Sequence, residues 1–225
     1  MSLPKTLARG VRHPIARVLT LARHSASYPF DTPLTREIHR LERRSSEKPL
    51  RAIGDIPGLE PAPRHGLTGL AYQLVRHYKP RVVVQLGTRR GLATLAIASA
   101  LRDNAEGGQL FAVDPENGPD AYGAHLASLG LGSIVTPLRM VPHGARDQVA
   151  RPIDLLLIDA IRPSEAVEDD WESYGPIVRP GGMVLFDGVR SGIQVRHFWR
   201  AMTRNHENHT VRRSDYLGII RTKQH

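Results

Sequence analysis

The sequence predicts an α/β fold: a doubly wound, mostly parallel seven-stranded sheet with an antiparallel C-terminal edge strand. Three observations carry this expectation. Short apolar runs alternate with helical patterns from Gly66 onward, most of those runs end on a glycine or an acid, and the chain closes on two short strands that turn near Ser214 and Asp215. Alternation of this kind implies parallel strands joined by right-handed crossovers, and the closing hairpin implies one antiparallel strand at the sheet's end.

In chain order, a helical pattern covers Leu34 to Glu47, and a Pro- and Gly-containing connector follows from Ile53 to Arg64. That connector sets a boundary between a basic helical extension, residues 1–62, and an α/β domain, residues 63–225. The domain reads as helix "GLTGLAYQLVRHY", strand "RVVVQLG", helix "GLATLAIASALR", strand "QLFAVD", a helix near Tyr122 to Leu129 and strand "SIVTPLRM". It continues with strand "IDLLLID", helix "PSEAVEDDWESYGPIV", strand "GGMVLFD", helix "GIQVRHFWRAMTR" and the hairpin "HTVRRSDYLGIIRTK". Trp171, Tyr174, Phe198 and Trp199 recur at helical spacing, which marks packing residues more often than a substrate wall.

Composition narrows the function classes. The 225 residues contain no cysteine, which excludes a disulfide framework, a cysteine nucleophile and thiolate metal sites. No apolar run reaches the roughly 20 residues of a membrane-spanning helix, so a cytoplasmic protein is expected. The net charge of +9 favours acidic partners in general. Part of that charge lies in residues 1–30, where Lys5, Arg9, Arg12, Arg17 and Arg23 stand without Asp or Glu among Leu3, Leu7, Val11, Ile15, Val18 and Leu19. This leader admits two main readings: a basic amphipathic segment in peripheral contact with an anionic membrane, or a segment whose apolar side packs on the core or on another copy in a homo-oligomer. A transit peptide is a third. The basic run "VRHYKPR" sits at the strand-entering edge and has little aromatic interleaving, so no nucleic acid is expected there.

Ligands of doubly wound sheets bind beyond the carboxyl ends of the strands, where strand order reverses. Gly87, Asp114, Asp159 and Asp187 each end a predicted strand. The loop "GTRRG" lacks the middle glycine of a dinucleotide fingerprint. Gly87 and Gly91 still allow unusual backbone and close ligand approach, and the amides at the next helix start can hold a carboxylate. Asp114 is placed where an acid accepts hydrogen bonds from ribose hydroxyls. Glycine loop and terminal acid together imply a nucleoside cofactor.

The set "VVVQLGTRRGLAT", "QLFAVDPE", "IDLLLIDA", "YGPIVRPGGMVLFDGV" and "LGIIRT" resembles class I S-adenosylmethionine-dependent methyltransferases, with their Rossmann-like fold. More narrowly it resembles the small-molecule O-methyltransferase branch that includes catechol and macrolide-sugar O-methyltransferases and cephalosporin-hydroxylase-like proteins. The resemblance spans roughly Pro63 to Arg221. It implies that Gln85, Gly87, Thr88, Gly91, Asp114 and Asp159 contact S-adenosylmethionine, and that "PRHGLTG" closes over it.

The same resemblance points to Asp159 and Asp187 as ligands of a magnesium ion that orients the acceptor hydroxyl. The set is incomplete, because Gly188 stands where a third ligand is usual and Asp159 is followed by Ala160, Ile161 and Arg162 rather than by the usual histidine-bearing motif. Asp159 and Asp187 are thus catalytic candidates through that ion; without it, proton removal needs a general base, for which His143 is the catalytic candidate, with His65 and His197 beside it. The expected activity is methyl transfer to a hydroxyl of a small-molecule acceptor such as a sugar, natural product or lipid-linked glycan. The alternatives are a non-catalytic cofactor-binding or interaction protein of this fold and, further off, an RNA methyltransferase.

Overall fold

The computed structural model describes residues 32–47, 66–89, 91–116, 119–159, 163–211 and 216–223. The basic leader, the connector Ile53 to Arg64, His65, Ala160 to Arg162 and the hairpin turn at Ser214 and Asp215 lie outside them. Seven strands form a single sheet: β1 Val82–Leu86, β2 Gln109–Val113, β3 Val135–Leu138, β4 Ile153–Asp159, β5 Val178–Asp187, β6 Glu207–Val211 and β7 Leu217–Arg221. Their order is β3-β2-β1-β4-β5-β7-β6. The first five pair in parallel, and β7 runs antiparallel to both β5 and β6. The antiparallel strand therefore sits one place in from the edge, and β6 is outermost.

The helices are α1 Pro33–Glu47, α2 Gly66–Tyr78, α3 Leu92–Asn104, α4 Pro119–Ser128, α5 Pro142–Ala145, α6 Ser164–Tyr174 and α7 Ile193–Thr203. Most of them match the sequence expectation to within a few residues. The helix read through "GPIV" instead stops at Tyr174, where Gly175 and Pro176 tighten the chain into a 3-10 turn. Strand β5 begins earlier than "GGMVLFD", at Val178, because Val178 already pairs with Ile153 before a register shift.

Strand alternation divides the core into two layers. Val83, Leu110, Leu155, Leu157, Met183 and Leu185 face a layer with α1, α2, α3 and α4. Val84, Leu86, Phe111, Leu156, Ile158, Val184 and Phe186 face the layer of α5, α6 and α7. Helix α3 is buried along nearly its whole length, from Ala93 to Leu101, which explains its small alanine-rich sequence: only small side chains let a helix lie between α2 and the sheet. Helix α1, part of the expected extension, packs with the domain. Its Leu34, Ile38 and Leu41 are buried, each contributing about 1.5–3 kcal/mol of transfer free energy. Described residues from Pro33 onward belong to one compact unit.

The four aromatics read as packing residues do pack. Phe186 lies 6.0 Å from the Trp171 ring and 5.8 Å from both Phe198 and Trp199, and the buried Tyr174 donates its hydroxyl to Pro142 O at 2.7 Å. Burial pushes the Tyr174 hydroxyl pKa up, and Asp170 adds to it. The basic run at the far edge is partnered: Lys79 with Glu106 at 2.6 Å, Arg76 with Asn104 at 3.0 Å and His77 with Glu37 at 2.5 Å. No helix among the described residues is long and apolar enough to cross a membrane.

Candidate active site

Strand order reverses between β1 and β4: successive strands after β1 step outward one way, and β4 and β5 step the other. The loop leaving β1 and the end of β4 therefore flank the crevice that such sheets offer to ligands. Gly87 and Asp159 occupy that point. Gly87 has φ of 83°, and a Cβ built on it would stand 2.9 Å from the Asp159 Cβ and 3.5 Å from Oδ2. Both the left-handed backbone and the closeness demand glycine.

The loop is held from beneath by two buried polar side chains. Gln85, on β1 and 2% exposed, donates from Nε2 to Gly87 O at 3.0 Å and accepts at Oε1 from Thr94 Oγ1 at 2.9 Å. Both ends of its amide are thus committed to the loop and to α3, so the structure places Gln85 as a brace under the loop. Asp114, just past β2, accepts at Oδ2 from Thr88 N at 2.7 Å, Thr88 Oγ1 at 3.1 Å and Arg89 N at 3.3 Å. Its Oδ1 accepts from Glu116 N at 2.9 Å, an Asx-turn rather than a helix cap. Asp114 is the anchor of the glycine loop as well as a strand-end acid.

At the loop's far end, Gly91 has φ of 79° and caps α3 with no side-chain hydrogen bond. Its N–H donates to Thr88 O at 2.8 Å, closing the turn. The first-turn amides of α3 then carry the positive end of the helix dipole without a capping side chain from residue 91.

Asp159 and Asp187 are direct neighbours, paired in register across β4 and β5. Alternation sends Gln85, Asp159 and Asp187 to the same face of the sheet, the one shared with Leu157 and Leu185. Arg89, exposed on the loop, brings Nε to 3.8 Å from Asp159 Oδ2. Next to Asp187, Gly188 has φ of 91° and contributes no side-chain donor. Magnesium wants a near-octahedral set of oxygens. Two carboxylates, one of them beside a guanidinium, supply only part of that set, and water or acceptor oxygens would have to complete it. Among the described residues, the rim carboxylates form no group of three ligand atoms close enough for a cation.

The structure thus brings together Gln85, Gly87, Thr88, Gly91, Asp114, Asp159 and Asp187. His143 is exposed on α5 and His197 is exposed on α7, both helices of the opposite layer. Arg89 and Thr94 were not singled out by sequence reasoning. Thr94 lay within a helical pattern with nothing to distinguish it, whereas a basic residue inside a glycine loop was a visible signal for Arg89.

A glycine loop at the switch point, an acid after β2 and this strand order form a Rossmann-like methyltransferase fold. Residues 84–189 match the family described as "Methyltransferase domain", a span that contains every residue of the site. No curated protein matches the chain by sequence. Among solved structures, the chain is similar to a methyltransferase from Geobacter sulfurreducens, at 19% identity and TM-score 0.60 over 92% of this chain and 96% of that one. It is similar to the O-methyltransferase TomG from Streptomyces achromogenes, involved in tomaymycin synthesis and solved with SAM, at 16% identity and TM-score 0.61 over 91% and 96%. Methyltransferase PaMTH1 from Podospora anserina, solved with SAH, covers 99% of this chain and 100% of its own at 14% identity and TM-score 0.60.

Proposed function

We propose that the protein transfers the methyl group of S-adenosylmethionine to a hydroxyl of a small molecule. The observation that carries this reading is the pairing of Asp159 with Asp187 beside the Gly87 loop, which sets two carboxylates where an acceptor hydroxyl would meet the cofactor. The names of two similar structures, TomG and a caffeoyl-CoA O-methyltransferase-like protein from Staphylococcus aureus, point the same way.

In this reading Gly87, Thr88 and Gly91 hold the methionine portion, with the uncapped start of α3 receiving its carboxylate. Asp114 accepts from the ribose while keeping the loop in place, and Gln85 acts through the loop as a positioning residue. The cofactor supplies an electrophilic methyl on a sulfonium. Asp159 and Asp187 orient the acceptor hydroxyl and take up its proton, a contribution that is typically 10²- to 10⁴-fold when a side chain is well placed. His143, on α5, remains the alternative proton acceptor. No step is assigned to a metal.

Calorimetric titration with S-adenosylmethionine and S-adenosylhomocysteine, with and without magnesium, tests the cofactor part. Micromolar binding, lost in Asp114→Ala, is expected. A panel of hydroxylated sugars and phenolic natural products, read by S-adenosylhomocysteine release, tests the acceptor. Cofactor binding without release from any acceptor would favour the non-catalytic reading that Gly188 invites.

A further inference from the structure

A second cluster of ligand-bearing side chains lies away from the cofactor rim, where α1 meets the outermost strand. His39 and Glu42 stand three residues apart and so share one face of α1. His209 lies on β6, where alternation turns Glu207, His209 and Val211 to one side. That side faces α1: Glu207 Oε1 accepts from Leu34 N at 3.0 Å, and Val211 shares a core with Leu34, Ile38 and Leu41.

One ligand atom from each of His39, Glu42 and His209 lies within 4.8 Å of the other two. The two imidazoles meet edge to face, with ring centres 5.0 Å apart and planes at 85°. Two imidazoles bound to one tetrahedral zinc, with each nitrogen about 2.0–2.1 Å from the ion, hold their ring centres roughly 5 Å apart. The rings therefore already have the separation of a ligand pair, and small side-chain rotations bring the ligand atoms into range.

We propose that His39, Glu42 and His209 form a binding site for a borderline divalent transition metal, with zinc as its representative, that clamps α1 to the sheet edge. Two imidazoles and one carboxylate suit zinc and its neighbours, and they leave a fourth position for water. Calcium and magnesium, which take oxygen ligands, are excluded by the same set. The site is separate from the rim and does not depend on the proposed acceptor.

The test uses the full chain, stripped with a chelator and titrated with zinc chloride by calorimetry, alongside thermal melting. One zinc per chain is expected, with micromolar or tighter affinity and a rise in melting temperature that the chelator reverses. His39→Ala and Glu42→Ala, both on the half-buried side of the cluster, should each weaken binding by at least about tenfold, and His197→Ala should leave it unchanged. X-ray absorption of the zinc-loaded protein should show two imidazoles with oxygen completing the shell. His209→Ala should abolish binding; if that variant does not fold, the two α1 variants decide. No saturable zinc binding, or binding that survives the His39→Ala, Glu42→Ala double variant, overturns the proposal, since the chain has 11 histidines that could hold an ion elsewhere.

Discussion

Gly87 and Asp159 are so closely apposed across the β1 and β4 strand ends that a single added methyl at residue 87 would come within 2.9 Å of the Asp159 Cβ. The left-handed backbone at Gly87, with φ of 83°, compounds the restriction. A non-glycine residue there costs roughly 1–2 kcal/mol from the backbone, and overpacking adds about 1–3 kcal/mol. Gly87→Ala should therefore melt at a lower temperature and bind S-adenosylhomocysteine at least about tenfold more weakly, because the loop must move away from Asp159. Unchanged affinity by calorimetry would show that the loop is not part of the cofactor site.

Gln85 supports that loop through two hydrogen bonds that need an amide. Gln85→Leu strands Gly87 O and Thr94 Oγ1 in a buried setting, at about 1–3 kcal/mol for each group left unsatisfied. Gln85→Glu keeps an acceptor for Thr94 but sets a carboxylate against the Gly87 carbonyl oxygen. Both variants should lose stability in denaturant melts, the glutamate more than the leucine, since a buried charge facing a carbonyl is costlier than an apolar isostere. Equal stability of wild type and Gln85→Glu would remove the brace from the account.

Acid should destabilise the metal-free protein at a pH where carboxylates alone would not. Burial lowers the His209 pKa from 6.5 to about 4, and burial with Lys223 nearby lowers that of His206. A depressed histidine binds its proton more readily in the unfolded chain than in the folded one, so its contribution is present above the unfolded pKa of about 6.5 and is lost as pH falls towards 4. At roughly 1.4 kcal/mol per unit, His209 alone accounts for on the order of 3 kcal/mol. Glu37 adds a second, lower step. Burial pushes its carboxyl up, but hydrogen bonds from Tyr78, Arg221 and His77 outweigh this and hold it below its usual value, so its contribution disappears only as pH drops below about 4.5. Melting curves in chelator should thus fall between pH 6.5 and 4, and His209→Gln should flatten that fall.

Most of the fold was legible because alternation and punctuation are local: "RVVVQLG" and "IDLLLID" carry their own boundaries in glycine and aspartate. The turn at Gly175 was harder to see, since Tyr174 and Ile177 continue a helical apolar pattern while only Pro176 argues against it. Of the site, Gly87, Asp114, Asp159 and Asp187 could be found from their strand-end positions. Their mutual roles could not, because the 2.7 Å bond from Thr88 N to Asp114 and the register of Asp159 with Asp187 depend on strand order. His39, Glu42 and His209 show the same limit: the spacing of the first two is visible in α1, but nothing local reveals that a strand near the end of the chain brings the third.

Gly188 makes the last prediction, about metal independence. In the position beside Asp187 it supplies no side-chain oxygen, and Arg89 Nε already stands 3.8 Å from Asp159 Oδ2, so one positive charge offsets part of the rim's negative charge. With a methyl acceptor in hand, turnover should change less than about twofold when a chelator replaces magnesium. Asp187→Asn, which keeps the shape but removes proton-accepting capacity, should lower kcat by about 10²-fold or more while leaving the affinity for S-adenosylhomocysteine unchanged. Gly188→Asn is the complementary change, since asparagine tolerates left-handed backbone better than other side chains and brings a third oxygen to the two carboxylates. It should make turnover respond to added magnesium. A wild-type enzyme already silenced by the chelator would show that water or the acceptor completes a metal site that the side chains leave short.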